Sequence, residues 1–319
     1  MPDYKDIKGG TIQNFAGDPP APIAGQVWYD STAIAFQYRS VNPAGSWASG
    51  DNLNTSRYIV GGAGTQTASL VFGGVSSTVI DNTESYNGSA WTELNDLSTA
   101  KGAGADGGTP SSAMFAGGEA GPGATNDVDI WNGTSWTETS DLATNKRYIA
   151  GSINSSTAAL VCGGITPGSA PGTGATELWN GSSWTEVNDL NNPRRSHCGT
   201  GTTTAGLAFG GYDGASRTYT ETWNGTSWTE VNDMDSTGGW GGAFGTQTAS
   251  VVSNGTTVQT WDGTNWAAGA SNSTNTTNRA GNGTFSAGMI SGGEPPTAGV
   301  VTTEQWTDPT LVTRSVDTD

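Results

Sequence analysis

Histidine occurs once in this 319-residue chain and cysteine only twice. No apolar run approaches the roughly 18 residues that a membrane-spanning helix needs. Each scarcity excludes something. His197 alone cannot supply the two imidazoles of a catalytic copper centre, and it is the sole base open to a Ser-His-Asp triad. No Gly-x-Ser-x-Gly elbow presents a nucleophile, so His197 is read as a structural residue. Cys162 and Cys198 have no CxxC neighbour, which argues against zinc; they read as free thiols, with a disulfide left open. The first twenty residues hold no apolar run of signal-peptide type. Basic residues are also few, 12 against 29 acidic ones. The resulting charge of −17 repels nucleic acid and anionic headgroups, so neither nucleic acid nor membrane is expected as a partner. EF-hand spacing and the Lys-Ser/Thr of a phosphate loop are missing too, and no metal or cofactor is expected.

What the chain does have is glycine, 49 residues of it, with an apolar fraction of only 33%. Such a composition fits many short strands joined by turns, or else disorder. Thirteen tryptophans decide against disorder, which is poor in aromatics. The tryptophans also carry a repeat. An aromatic-Asn/Asp-Gly-x-x-Trp phrase ends at Trp91, Trp136, Trp184, Trp228 and Trp266, spaced 45, 48, 44 and 38 residues apart, with Trp47 lying 44 before the first. A glycine doublet keeps the same beat at Gly73, Gly117, Gly163, Gly210 and Gly292; the fifth repeat has Asn254-Gly255 there instead.

Each repeat reads as four antiparallel strands: a Gly-rich one, an apolar one such as Ala68–Phe72, a Thr-Glu-x-Trp one such as Thr220–Trp223, and a Trp-Thr-Glu one such as Trp184–Val187. Asn-Gly between the last two predicts a type I′ turn, with positive φ at both central residues. Units of this size cannot bury both faces alone, whereas radial stacking buries them. Basic residues sixteen before the doublet (Arg57, Lys101, Arg147, Arg194) match acidic ones two before the strand-three aromatic (Glu84, Asp129, Glu177, Glu221). These are read as buried ion pairs, so that Arg147→Ala should lower thermal stability. The fifth repeat loses both members together, to Gly238 and Gln259, and the sixth offers Arg279 and Glu304. Glu93, Glu138, Glu186 and Glu230, with Asp96, Asp141, Asp189 and Asp233, recur in copy after copy. A catalytic carboxylate is normally unique, so these are assigned to the scaffold and no enzyme activity is expected.

The glycine doublet, the aromatic and the following Trp, at this spacing over residues 53 to 306, resemble the kelch family. That resemblance implies an all-β, about six-bladed β-propeller of four-stranded antiparallel blades. The closing strand is either the one around Trp47 or residues 311–316. Residues 1–32 stand outside the repeat as an arm, with 33–319 as the propeller and 33–52 as candidate closing strands. The phrase Pro22-x-x-Gly25-Gln26-Val27-Trp28-Tyr29-Asp30-Ser31-Thr32 resembles the segment that opens many tailed-bacteriophage virion proteins, and the Trp-Asn-Gly-Thr-Ser-Trp-Thr-Glu repeat is similar to structural proteins of marine phages. This resemblance implies a tail fibre, appendage or decoration protein, made in the host cytoplasm and carried in the virion in multiple, symmetric copies. Its partners would be other virion proteins and a host-surface glycan or protein. Candidate binding residues are the loops Glu119 to Asn126 and Thr166 to Thr173, and Trp240, which breaks the fifth repeat. A cellular kelch scaffold is the alternative, followed by a glycan-acting propeller enzyme.

Overall fold

The computed structural model describes residues 12–17, 19, 26–41, 45–121, 123–294, 299–308 and 311–315. The described residues form seven four-stranded sheets and no helix. Packing divides the chain into two units, residues 1–45 with 309–319, and residues 46–308. The sequence had placed the boundary at 32/33.

In the small unit, Gln13–Phe15 pairs in parallel with Val27–Asp30, which pairs antiparallel with Ala35–Val41, itself paired with Leu311–Ser315. Trp28 is fully buried. The Asp30 carboxylate accepts the amides of Gly17, Thr32 and Ala33, fixing the turn between the second and third strands. Those amides, Ala33 first, hold its pKa below the ordinary value. This is the structural content of Asp30-Ser31-Thr32; Pro22 to Gly25 of the same phrase lie outside the described residues.

The large unit is propeller-like. Its six sheets span residues 61–93, 105–138, 150–187, 198–230, 242–268, and 280–307 with Ser46–Ser49. The strands Ala68–Phe72, Thr220–Trp223 and Trp184–Val187 occupy the residues read from sequence. In the sixth sheet the fourth strand is Ser46–Ser49, which sets Trp47 opposite Trp306, while residues 311–315 belong to the small unit. Of the two closing strands the sequence offered, Ser46–Ser49 is therefore the one that joins the sheet.

Six apolar clusters lie between successive sheets, the last joining Ala280 and Met289 of the sixth to Val71 and Trp91 of the first. The two tryptophans of a repeat divide the work. The strand-three indole donates within its own sheet, as Trp223 does to the Thr203 carbonyl. The strand-four indole crosses to the sheet before it: Trp136 donates to Thr83, Trp228 to Thr176 and Trp266 to Thr220 through their hydroxyls.

The Asn-Gly turns differ from the type I′ expectation. Trp131 pairs with Trp136, leaving four residues between the strands, and only the glycine, Gly133, has positive φ. Asn132 acts through its side chain, whose Oδ1 accepts the amides of Thr134 and Ser135. Asp262 does the same for Thr264 and Asn265, which explains why Asp and Asn interchange there.

Glu84, Glu177 and Glu221 accept amides of the incoming linker, and each of them, like Asp129, pairs with a buried cation. Arg57 bonds Glu84, Lys101 lies 2.8 Å from Asp129, and Arg194 2.5 Å from Glu221. In the third sheet the expectation is corrected: Glu177 pairs with Lys146 at 2.6 Å, not with Arg147. The reason is a bulge between Ile153 and Ser155, which adds one residue between the linker and the glycine doublet, so counting back from Gly163 lands one place late. Arg147 instead meets Glu119 at 2.8 Å, partly exposed. The sixth sheet is also corrected: Arg279 donates to the carbonyls of Gly255, Thr274 and Thr276, and Glu304 accepts the amides of Ser273 and Thr274. Lys146→Ala is expected to cost about 3 kcal/mol by stranding a buried carboxylate, and Arg147→Ala less than about 1 kcal/mol. Urea titration of the two variants checks the ordering.

Candidate functional site

Leading into each sheet of the large unit, one residue other than glycine has a left-handed backbone: Ile59, Ala103, Tyr148, Ser196, Trp240 and Asn278, with φ between 47° and 67°. For residues other than glycine and asparagine the conformation costs about 1–2 kcal/mol each. It is held by a cycle of backbone hydrogen bonds. The amide of Ala103 donates to the Ile59 carbonyl (2.9 Å), Tyr148 to Ala103 (2.7 Å), Ser196 to Tyr148 (2.9 Å) and Trp240 to Ser196 (3.0 Å). Asn278 then donates to Trp240, and Ile59 to Asn278 (2.7 Å), which returns to the start. These six residues line one end of a cavity of about 230 Å³ bounded by the first strands of all six sheets.

Three residues further along each of these first segments stand Gly62, Asp106, Gly151, Gly199, Ala243 and Gly281. The sheets touch closely here; a Cβ on Gly199 would lie 2.6 Å from the Gly151 carbonyl oxygen. Asp106 is the single large side chain in that ring, and its Oδ2 accepts the Gly62 amide at 2.7 Å. Burial pushes its pKa up to about 7 against the opposing pull of that amide. A raised carboxyl pKa favours the protonated form in the fold. Its penalty is therefore absent below about pH 4, grows as pH rises, and is complete above about pH 7. Asp106 keeps some exposure to the cavity, so the cost is taken as about 2 kcal/mol, below the full value of the shift. Asp106→Asn is expected to leave thermal unfolding at about pH 4 unchanged and to stabilise by that amount near pH 8. Equal stabilisation at both pH values would refute the assignment. Sequence reading missed Asp106, although aligning the glycine-rich strands would have shown it as the odd residue.

His197 also borders this cavity, with its ring buried and Nε2 3.4 Å from Cys162 Sγ. Burial, with Arg194 nearby, drives the imidazole pKa well below normal, and burial raises the Cys162 thiol to about 12. The pair is a neutral contact. Both cysteines are free thiols.

The candidate loops fare differently. Glu119 to Asn126 is a continuation of the hairpin Ser112–Ala120 with Gly123–Trp131 rather than a loop, pairing Gly118 with Thr125. Thr166 to Thr173 is a loop, closed by the Thr173 amide on the Gly164 carbonyl. The repeated Asp96, Asp189 and Asp233 accept the first amides of strand three in their sheets, at Thr83, Thr176 and Thr220. In the second sheet, Asp127, Glu138 and Asp141 bring carboxylate oxygens within 4.8 Å of one another, the one such group among the described residues and the one with the oxygen donors a hard cation takes.

Trp240 stands at the cavity mouth, edge-to-face with Tyr148 at 5.1 Å, so a third-sheet and a fifth-sheet ring meet across Ser196. Beside them Arg195 stacks on Tyr212 at 4.9 Å and Arg147 on Tyr148 at 5.4 Å. Of the residues singled out in the sequence, Trp240, Arg147 and Glu119 are brought to this one face, the last two as an ion pair. A scan of family models and a search of curated proteins found no match to the chain.

Proposed function

We propose that the chain is a structural protein of a bacteriophage virion, a tail fibre, appendage or decoration, whose large unit is a closed, six-bladed, kelch-like propeller. One face of that propeller meets the host surface or a neighbouring virion subunit, and the small unit attaches the protein to the particle. Six-fold closure is supported by the hydrogen-bond cycle that returns to Ile59 and by the apolar cluster joining the sixth sheet to the first.

The observation that carries the reading is how the polar groups divide. The repeated carboxylates, cations and indoles bind the scaffold itself, whereas two irregular residues of the fifth repeat, Trp240 and Asn254, line one cavity. A scaffold with one specialised face is the arrangement of a presenting module, and the Gln26 to Thr32 phrase that resembles virion proteins folds in a separate unit. Mass spectrometry of nuclease-treated particles across a density gradient tests it. Co-sedimentation with intact virions is expected; recovery only in the soluble lysate would overturn it in favour of a free kelch-type scaffold.

A further inference from the structure

The fifth sheet departs from the others in one more way. Its second and third strands, Ala249–Asn254 and Thr257–Trp261, turn back at the place of the glycine doublet, whereas the equally short connection of the second sheet follows strands that run on past Gly117 and Gly118. In the other sheets the residue after the glycine doublet bridges back to the residue before the left-handed position: Tyr58 to Val75, Gly102 to Glu119, Arg147 to Ile165, Arg195 to Tyr212 and Thr277 to Glu294. Gly239 has no such bridge; Gly255 keeps only the contact that the second doublet glycine makes in the other sheets, its amide donating to the Thr276 carbonyl as that of Gly211 does to Gly238. The missing loop leaves a cavity of about 360 Å³, within the range of small-ligand sites.

Trp240, Asn254, Asn278, Thr237, Ser216 and Thr277 supply its side chains, and no ionisable group is among its lining residues. In a chain of charge −17 that neutrality is itself informative. Eleven of the thirteen indole N–H groups donate to a carbonyl or a threonine hydroxyl; the Trp240 indole has no partner among the described residues. The side chains of Asn254, Thr237, Ser216 and Thr277 likewise make no hydrogen bond there, and Asn278 spends one donor on Glu294. An aromatic plane is thus surrounded by uncommitted amides and hydroxyls, all capable of both donating and accepting except the indole.

We propose that this cavity binds a neutral sugar residue. A pyranose presents an apolar C–H face to an indole and rim hydroxyls that donate and accept alternately, which matches this mixture of groups. A carboxylated or sulfated sugar would find no cation in the lining, and a hydrocarbon would leave the amides unpaired. The assignment gives the presenting face of the adsorption reading its ligand class, and rests on that reading only for its biological setting.

The test is saturation-transfer NMR on the full chain with the methyl glycosides of glucose, galactose, mannose and N-acetylglucosamine, and with methyl glucuronide as the charged probe. Transfer to at least one neutral glycoside is expected, with glucuronide no stronger. Trp240→Gly should weaken binding by about tenfold or more, as removal of a central aromatic anchor does. Glycine takes the local φ of 67° without strain, so the fold is kept. Asn254→Ala, at a strand end, should weaken binding several-fold and serves the same purpose if the glycine variant fails to fold. No transfer from any neutral glycoside, or transfer untouched by both substitutions, overturns the proposal. Failure of the protein to co-sediment with virions would overturn the adsorption reading and leave sugar binding standing.

Discussion

A fragment of residues 46–308 is expected to unfold cooperatively, and one of residues 51–308 is not. The five residues between these starting points hold Ser46–Ser49, the fourth strand of the sixth sheet. Without it Thr303–Thr307 becomes a bare edge. Trp47 goes with it, losing its ring contacts to Trp306 and Phe244 at 5.3 and 6.3 Å and its indole bond to the Ala270 carbonyl. Removing a buried aromatic costs about 3–5 kcal/mol, and the partly buried Trp47 falls at or below the low end of that range. The strand pairing adds to this, and the total is comparable to the whole stability of an ordinary domain, about 5–15 kcal/mol. The effect is amplified because the sixth sheet packs on both its neighbours through separate clusters, those of Phe244 and of Tyr86. Urea unfolding followed by near-ultraviolet circular dichroism distinguishes the fragments. Equal midpoints would mean that Ser46–Ser49 is an ornament on a sheet complete without it.

Arg194→Met is expected to destabilise by about 3–5 kcal/mol, while Arg194→Met combined with Glu221→Gln loses far less. Both charged side chains are fully buried. Arg194 also donates to the carbonyls of Asn192 and Ala208, and Glu221 accepts the amides of Asn191 and Asn192. Removing the cation alone strands a fully buried carboxylate. Replacing both reproduces the fifth sheet, where Gln259 accepts the amides of Asp235 and Ser236 and returns its NH₂ group to Ser236 with no cation present. A double variant as unstable as the single one would show that the linker needs the charge and not merely the acceptor.

Much of this molecule follows from residue patterns acting over short range. Short apolar runs, Asn-Gly turns and recurring Trp define strands because hairpin pairing is local, and Ala68–Phe72 and Trp184–Val187 emerge where the pattern puts them. Pairing a basic residue with an acidic one also worked where spacing was constant, at Arg57, Lys101 and Arg194. It failed at Glu177 because a single bulge shifts a count by one, and a count along the chain cannot see a bulge.

Other features depend on residues far apart in sequence. That the strand at Trp47 joins the one at Trp306 is settled by which edge is free once the sixth sheet has formed. The Ile59-to-Asn278 hydrogen-bond cycle has no sequence signature, since Ile, Ala, Tyr, Ser, Trp and Asn share only a backbone conformation imposed by their neighbours. Asp106 looks like one acidic residue among 29 until the surrounding glycines are brought around it. The irregularity of the fifth repeat was plain in the sequence as Gly238, Trp240, Asn254 and Gln259. Only the tertiary structure gathers three consequences of it, a missing loop, an unpartnered indole and uncharged polar groups, into one cavity, because a loop's absence acts on whatever lies across from it in space.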